Sequence, residues 1–150
     1  MSHSFTAIFS HLVFSTKDRA PLLRPEMRDR LIEYSGGILR IIRCSLIAGQ
    51  AVEDHAHMLI RMHPSVSPSD LAREVKSRTS SWVRETWHAA EWYGWQEGYG
   101  AFSVSRSGVE EVTRYINRQE EHHRRRSFQE EFIALLEKHG VEYDPRYMWG

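Results

Sequence analysis

The segment "IIRCSLIAGQAVEDHAHMLIRM", Ile41–Met62, carries the strongest structural pattern in the chain. Two runs rich in apolar and β-branched residues flank the polar "VED" of Val52–Asp54, the pattern of a β-hairpin. In a strand, successive side chains point to opposite faces. Ala56, Met58, Ile60 and Met62 therefore share one uniformly apolar face, which belongs on the core. His55, His57, Leu59 and Arg61 share the other. Side chains two residues apart stand roughly 7 Å from one another, so two imidazoles can converge on one ion. Imidazole is the commonest metal-ligating side chain. The competing reading is a pair of tolerated histidines. The chain has nine of them, and "HH" at His122 and His123 is another close pair. Two ligands do not make a site, and no further Cys or His follows at zinc spacing. His63 stands beside Pro64, beyond the strand.

Reading outward, "FTAIFSHLVFST" (Phe5 to Thr16) is a first strand. Pro25 opens a helix through Leu31, Ile32 and Tyr34 that is expected to stop near Gly36 and Gly37, or to run on to Leu39. After the hairpin, Ser67 or Ser69 caps a helix starting near Asp70 and reaching about Trp87, with Leu71, Val75, Trp82 and Val83 along it. "EWYGWQEGYG" (91–100) is a loop, and "AFSVS" (101–105) is a fourth strand. The order is βαββαβ, an α+β ferredoxin-like pattern: an antiparallel sheet with helices packed on one face. A helix through Val109, Val112 and Ile116 follows, then a last one, "FQEEFIALLEKHG", with Gly140 as its stop.

The first of these C-terminal helices holds the second constellation. Tyr115 and Gln119 are four residues apart, one helical turn, beside the apolar stripe, and His122 continues the line. Taken alone, Tyr115 reads as a packing tyrosine and Gln119 as a surface residue. A phenol with a pKa near 10 is a poor nucleophile without help.

Composition sets the limits. The chain has 150 residues, the size of a single domain spanning 1–150, and its 41% hydrophobic and 27% charged content is that of a folded protein. No run approaches the roughly 18 apolar residues of a membrane span. The N-terminus lacks the basic segment of a secretory signal. Cys44 is the only cysteine, which rules out an intramolecular disulfide and points to a reducing, cytoplasmic compartment. Twenty basic residues balance twenty acidic ones. That argues against coating nucleic acid non-specifically, so a nucleic-acid surface must be local. The candidates are Arg73, Lys76 and Arg78 on the second helix, and Arg124 and Arg125 beyond Gln119. Each has the alternative of a solvated helix face. Trp92, Trp95 and Tyr99 are able to stack on bases or to pack internally.

Together these segments resemble the single-tyrosine HUH transposases of insertion sequences that move as single-stranded DNA. "DHAHMLI" (54–60) and "RYINRQ" (114–119) carry the resemblance. "HLVFSTKDRAPLL" (11–23), "DLAREVKSRTSSWV" (70–83) and "WQEGYGAFSVS" (95–105) support it in the family's order. The resemblance implies a ferredoxin-like fold in which His55, His57 and Gln119 hold a divalent metal, Mg2+ or Mn2+. It implies that Tyr115 attacks a DNA phosphodiester, forming a 5′-phosphotyrosine and freeing a 3′-OH. It implies single-stranded DNA with hairpin ends as the substrate, and a homodimer with composite active sites. Three neighbouring readings remain: a domesticated hairpin-processing relative, an HUH nickase of the replication or conjugation type, and a DNA-binding regulator without catalysis. The nickases often carry a third histidine that this motif lacks. Tyr115 and Gln119 speak against the regulator.

Overall fold

The computed structural model describes residues 4–88, 92 and 94–149. Glu91 and Tyr93 of the expected aromatic loop lie outside them. Four strands form one antiparallel sheet: β1 (Phe9–Ser15), β2 (Ser45–Ala51), β3 (His55–Arg61) and β4 (Gly100–Val104), in the order β2-β3-β1-β4. Helix α1 (Pro25–Ile41) joins β1 to β2, and α2 (Pro68–Trp87) joins β3 to β4. This is the ferredoxin-like βαββαβ arrangement that the sequence predicts. Three C-terminal helices follow: α3 (Val109–Asn117), α4 (Gln119–Arg125) and α5 (Phe128–Lys138).

The strand alternation holds. Leu12 and Phe14 of β1 join Ala56, Met58 and Ile60 of β3 in the main core, packed under Met27, Leu31 and Leu39 of α1 and Leu71 and Val75 of α2. Each fully buried aliphatic side chain of this kind contributes about 1.5–3 kcal/mol. The opposite face is covered as well. Val13 and Phe102 lie under Phe128, Phe132, Leu135 and Leu136 of α5, while Phe9 and Leu59 lie under Val109 and Ile116 of α3. That second layer explains why all seven residues of β1 are buried.

Helix α1 departs from expectation. It passes through Gly36 and Gly37 and ends at Ile41. Gly36 sits where an added Cβ would meet Leu46 at 3.5 Å, and at Gly49 of β2 a Cβ would lie 2.8 Å from Ile32. Gly49 thus lets α1 and β2 approach closely, while Gly36 and Gly37 do not end the helix. The stop is Arg43, whose φ of 65° places it in the left-handed region. Strand β1 is also shorter than the sequence reading, starting at Phe9, with Phe5 exposed. Helix α2 starts at Pro68 behind a Ser67 cap with a reciprocal Asp70 contact, a capping box.

Gly100 anchors the second layer. A Cβ there would lie 2.7 Å from the Phe132 ring and about 3 Å from Phe102. Gly100→Ala is therefore expected to destabilise the protein by about 1–3 kcal/mol through overpacking, read by denaturant unfolding. An unchanged midpoint would show that α5 packs more loosely than this.

Candidate active site

The register of the sheet brings the site together. Val13 pairs with His57, Ser15 with His55, and Gln50 with His57 from the other side. The histidine pair therefore occupies the middle of the sheet, on the face that α3–α5 cover. His55 is 1% exposed; His57 and Gln119 are 0% exposed. Tyr115 is half-buried.

Gln119 reaches the histidines by an unexpected route. Tyr115 and Gln119 do not share one unbroken helix, because α3 ends at Asn117 and Arg118 (φ −107°, ψ 21°) breaks it. The Gln119 N–H donates to Gln50 Oε1 of β2 at 2.8 Å, while Tyr115 O accepts from Arg118 at 3.2 Å. The break turns Gln119 inward, and its Oε1 lies 3.1 Å from His55 Nε2.

Three more residues complete the cluster. Glu131 of α5 places Oε1 3.0 Å from His57 Nε2 and 3.3 Å from His55 Nε2. Its Oε2 accepts from Gln119 Nε2 at 3.2 Å and from the Tyr115 hydroxyl. Behind the pair, His55 Nδ1 lies 2.7 Å from Asp54 Oδ1, and His57 Nδ1 lies 2.7 Å from His11 Nε2. These outer contacts are those that orient a metal-ligating imidazole: with Nδ1–H engaged, Nε2 is left to coordinate. In the metal-free site the single N–H of a neutral His57 serves either His11 or Glu131, and a metal on Nε2 would fix it at Nδ1.

The electrostatics agree. Burial pulls the His55 imidazole down, but Asp54 and Glu131 overcome it and hold its pKa up at about 9. Burial wins at His57, which is lowered despite Glu131. Burial, with His57 nearby, also lowers His11 well below the usual imidazole value, so His11 stays neutral and can accept from His57. Burial raises the Tyr115 phenol, and the Glu131 charge raises it further. Burial would raise Glu131 too, but hydrogen bonds from His55 and His57 hold it well below the carboxylate range.

His55, His57 and Glu131 form a group whose donor atoms lie within 4.8 Å of one another, and Gln119 Oε1 adds a fourth donor. This mix of imidazole nitrogens and hard oxygens suits a small divalent cation such as Mg2+ or Mn2+. Binding would have to displace the His55 proton. Mn2+ uptake at pH 7–8 is thus expected to release close to one proton, with apparent affinity rising about tenfold per pH unit up to about 9. Calorimetry in buffers of different ionisation enthalpy reads this directly; affinity independent of pH between 6 and 8 would contradict it.

A cleft of about 400 Å³ opens beside Tyr115, with His11, Glu131, Arg126, Lys138 and His139 along its walls. His122 stacks on the Tyr115 ring at 4.6 Å. The basic candidates divide between the two sheet faces. Arg73 and Arg78, on the exposed side of α2, pair with Asp70 and Glu74. Lys76 donates to the Glu97 and Gly98 carbonyls and ties down that loop. All three belong to the helix on the face opposite the histidines. Arg124 and Arg125 are exposed on α4, on the site's own side, and Arg125 pairs with Glu121. Trp92 and Trp95 are core residues whose indole N–H groups donate to Ser80 and Thr79. Tyr99 remains partly exposed.

Glu131, His11, Asp54 and Gln50 were not singled out from the sequence. A signal for Glu131 was present: it falls with Phe128, Phe132 and Leu135 on the apolar stripe of α5, where a carboxylate needs a reason. His11 has the parity of Phe9 and Val13 in β1.

The ferredoxin-like sheet carries the histidine pair on a central strand, and a tyrosine-bearing helix packs over it. The sequence profile of the family "Transposase IS200 like" matches residues 4–119, and the chain belongs to that family. Among solved structures, it is similar to one from Deinococcus radiodurans R1 assigned to the transposases, at 21% identity and a TM-score of 0.63, covering 79% of this chain and 95% of the other. It is also similar to a REP-associated tyrosine transposase bound to a REP hairpin, at 14% identity and a TM-score of 0.57, covering 82% and 74%. No curated protein matches. Among the described residues, no helix is long and apolar enough to cross a membrane.

Proposed function

We propose that this transposase cuts and rejoins single-stranded DNA at hairpin-bearing ends through a 5′-phosphotyrosine on Tyr115, with a divalent metal held by His55, His57 and Gln119. The observation that carries the reading is convergence. Residues 55, 57, 115 and 119 lie on two distant segments, and one carboxylate, Glu131, contacts all four. The hairpin bound by the structural relative supports the substrate class.

The chain's own residues account for the chemistry. Tyr115 Oη gives up its proton and forms a bond to phosphorus as the P–O3′ bond breaks, and the departing O3′ takes up a proton, so the upstream strand leaves with a 3′-OH. The tyrosyl phosphodiester retains the energy of the broken bond, so a second 3′-OH can reverse the step without ATP. The bound metal would supply Lewis-acid polarisation of the phosphate. His11 and Asp54 hold the imidazoles in orientation. Arg124 and Arg125 on the site's side, with Arg73 and Arg78 on α2, are proposed phosphate contacts. The test is cleavage of a hairpin-bearing oligonucleotide in Mn2+ and in chelator, beside an unstructured strand of equal length. Cutting confined to the hairpin substrate with metal is expected; equal cutting of both strands would overturn the substrate assignment.

The family resemblance also implies a homodimer with composite sites. In this chain Tyr115 already stands by its own histidines, its ring 5.9 Å from that of His57. We therefore propose that the site operates in cis, whether or not two chains associate. Mixing Tyr115→Phe with His57→Ala protein is then expected to leave strand cleavage absent. Recovered cleavage would show that the tyrosine helix is exchanged between chains.

A further inference from the structure

We infer that Glu131 is a ligand of the metal, supplied by a helix beyond the part of the chain that the family profile matches. The inference rests on the metal reading above and extends it by one residue. The profile ends at Gln119, and α5 begins at Phe128. Helix α5 is fixed by apolar packing, with Phe128, Phe132, Leu135 and Leu136 seated on Val13 and Phe102. That packing drives Glu131 into the sheet face, where it is 3% exposed. A carboxylate so deeply buried is costly unless it meets positive charge and hydrogen-bond donors.

The distances are those of a coordination shell. Glu131 Oε1 lies 3.0 Å from His57 Nε2 and 3.3 Å from His55 Nε2, and Gln119 Oε1 lies 3.1 Å from the same His55 atom. Adjacent ligands on an octahedral ion with bonds near 2.1 Å stand about 3.0 Å apart. The shell needs little rearrangement to close on an ion. Two imidazoles and an amide leave a divalent charge uncompensated; one carboxylate halves it and adds the hard oxygen that Mg2+ and Mn2+ favour. The other oxygen, Oε2, stays on the Tyr115 hydroxyl, so ligand and nucleophile are tied by one side chain. The rival role is a counter-charge for His55 in the metal-free protein, which would need no coordination.

Mn2+ binding to the full chain separates the two, read by calorimetry and by the loss of the free-ion EPR signal, with no DNA present. Glu131→Gln keeps the shape but removes the charge and replaces one acceptor oxygen with a donor NH2. It is expected to bind Mn2+ at least about 10-fold more weakly. Glu131→Asp keeps the charge with a shorter reach, and an intermediate weakening is expected. Circular dichroism of the metal-free proteins identifies the variants that fold, and the result is read from those. Wild-type affinity in any folded Glu131 variant overturns the inference. His57→Ala distinguishes the two levels. If it abolishes Mn2+ binding while Glu131→Gln does not, only the Glu131 assignment fails. If His57→Ala also binds normally, the metal reading fails with it.

Discussion

Tyr115→Phe is expected to eliminate the covalent protein–DNA adduct and to slow strand cleavage by at least about 10³-fold, while Mn2+ affinity stays close to wild type. The change removes one oxygen. The ring keeps its stack on His122 and its edge contacts with His11 and His57. What is lost from the fold is the hydrogen bond to Glu131, worth about 1.5–3 kcal/mol for a bond to a charged group. Glu131 retains His55, His57 and Gln119, so it is not left as a bare buried charge. A folded Phe variant that still forms the adduct would place the nucleophile elsewhere. A Phe variant that loses metal binding would make Tyr115 part of the metal site rather than the attacking group.

His57→Ala is expected to have the largest combined effect, weakening Mn2+ binding by more than about 100-fold and destabilising the metal-free protein by about 2–4 kcal/mol. His57 is wholly buried in a central strand, between His11 on one ring nitrogen and Glu131 on the other. Truncation opens a cavity and takes a partner from both. Part of the Glu131 charge is then uncompensated except by His55. The two effects need separate measurements: denaturant unfolding in chelator for stability, and Mn2+ titration of the folded variant for affinity. Wild-type affinity in that variant would remove His57 from the ligand set.

The fold was legible because its signals are local. The face alternation in "HAHMLIRM" was enough to place Ala56, Met58 and Ile60 in the core, and the Ser67 cap marked the start of α2. The ends of α1 were not, because Gly36 and Gly37 are ordinarily read as stops. Here the helix runs through them, and the glycine that the α1–β2 packing requires is Gly49 of β2, where a Cβ would lie 2.8 Å from Ile32. The site divides the same way. His55 and His57 follow from strand parity. Gln119 lay at the right spacing for a different reason from the one expected, since the break at Arg118 and the Gln50 contact turn it inward. Glu131 depends on how α5 folds back over the sheet, so its position relative to the histidines had no spacing to reveal it. The alternation of charge and apolar residues on α2 predicted outward basic groups, but not that Lys76 would be spent on the loop carbonyls of Glu97 and Gly98.

In the proposed mechanism Tyr115 becomes covalently joined to the 5′ end created by the cut. Matched hairpin-bearing single strands labelled at the 5′ or the 3′ end, incubated with the protein and Mn2+, test it most directly. Only the 3′-labelled fragment is expected to migrate with the protein, the 5′-labelled fragment to end in a free 3′-OH, and peptide mass mapping to place the phosphodiester on Tyr115. Protein-linked label from the 5′-labelled strand, an adduct on another residue, or cleavage that leaves both fragments free would contradict it.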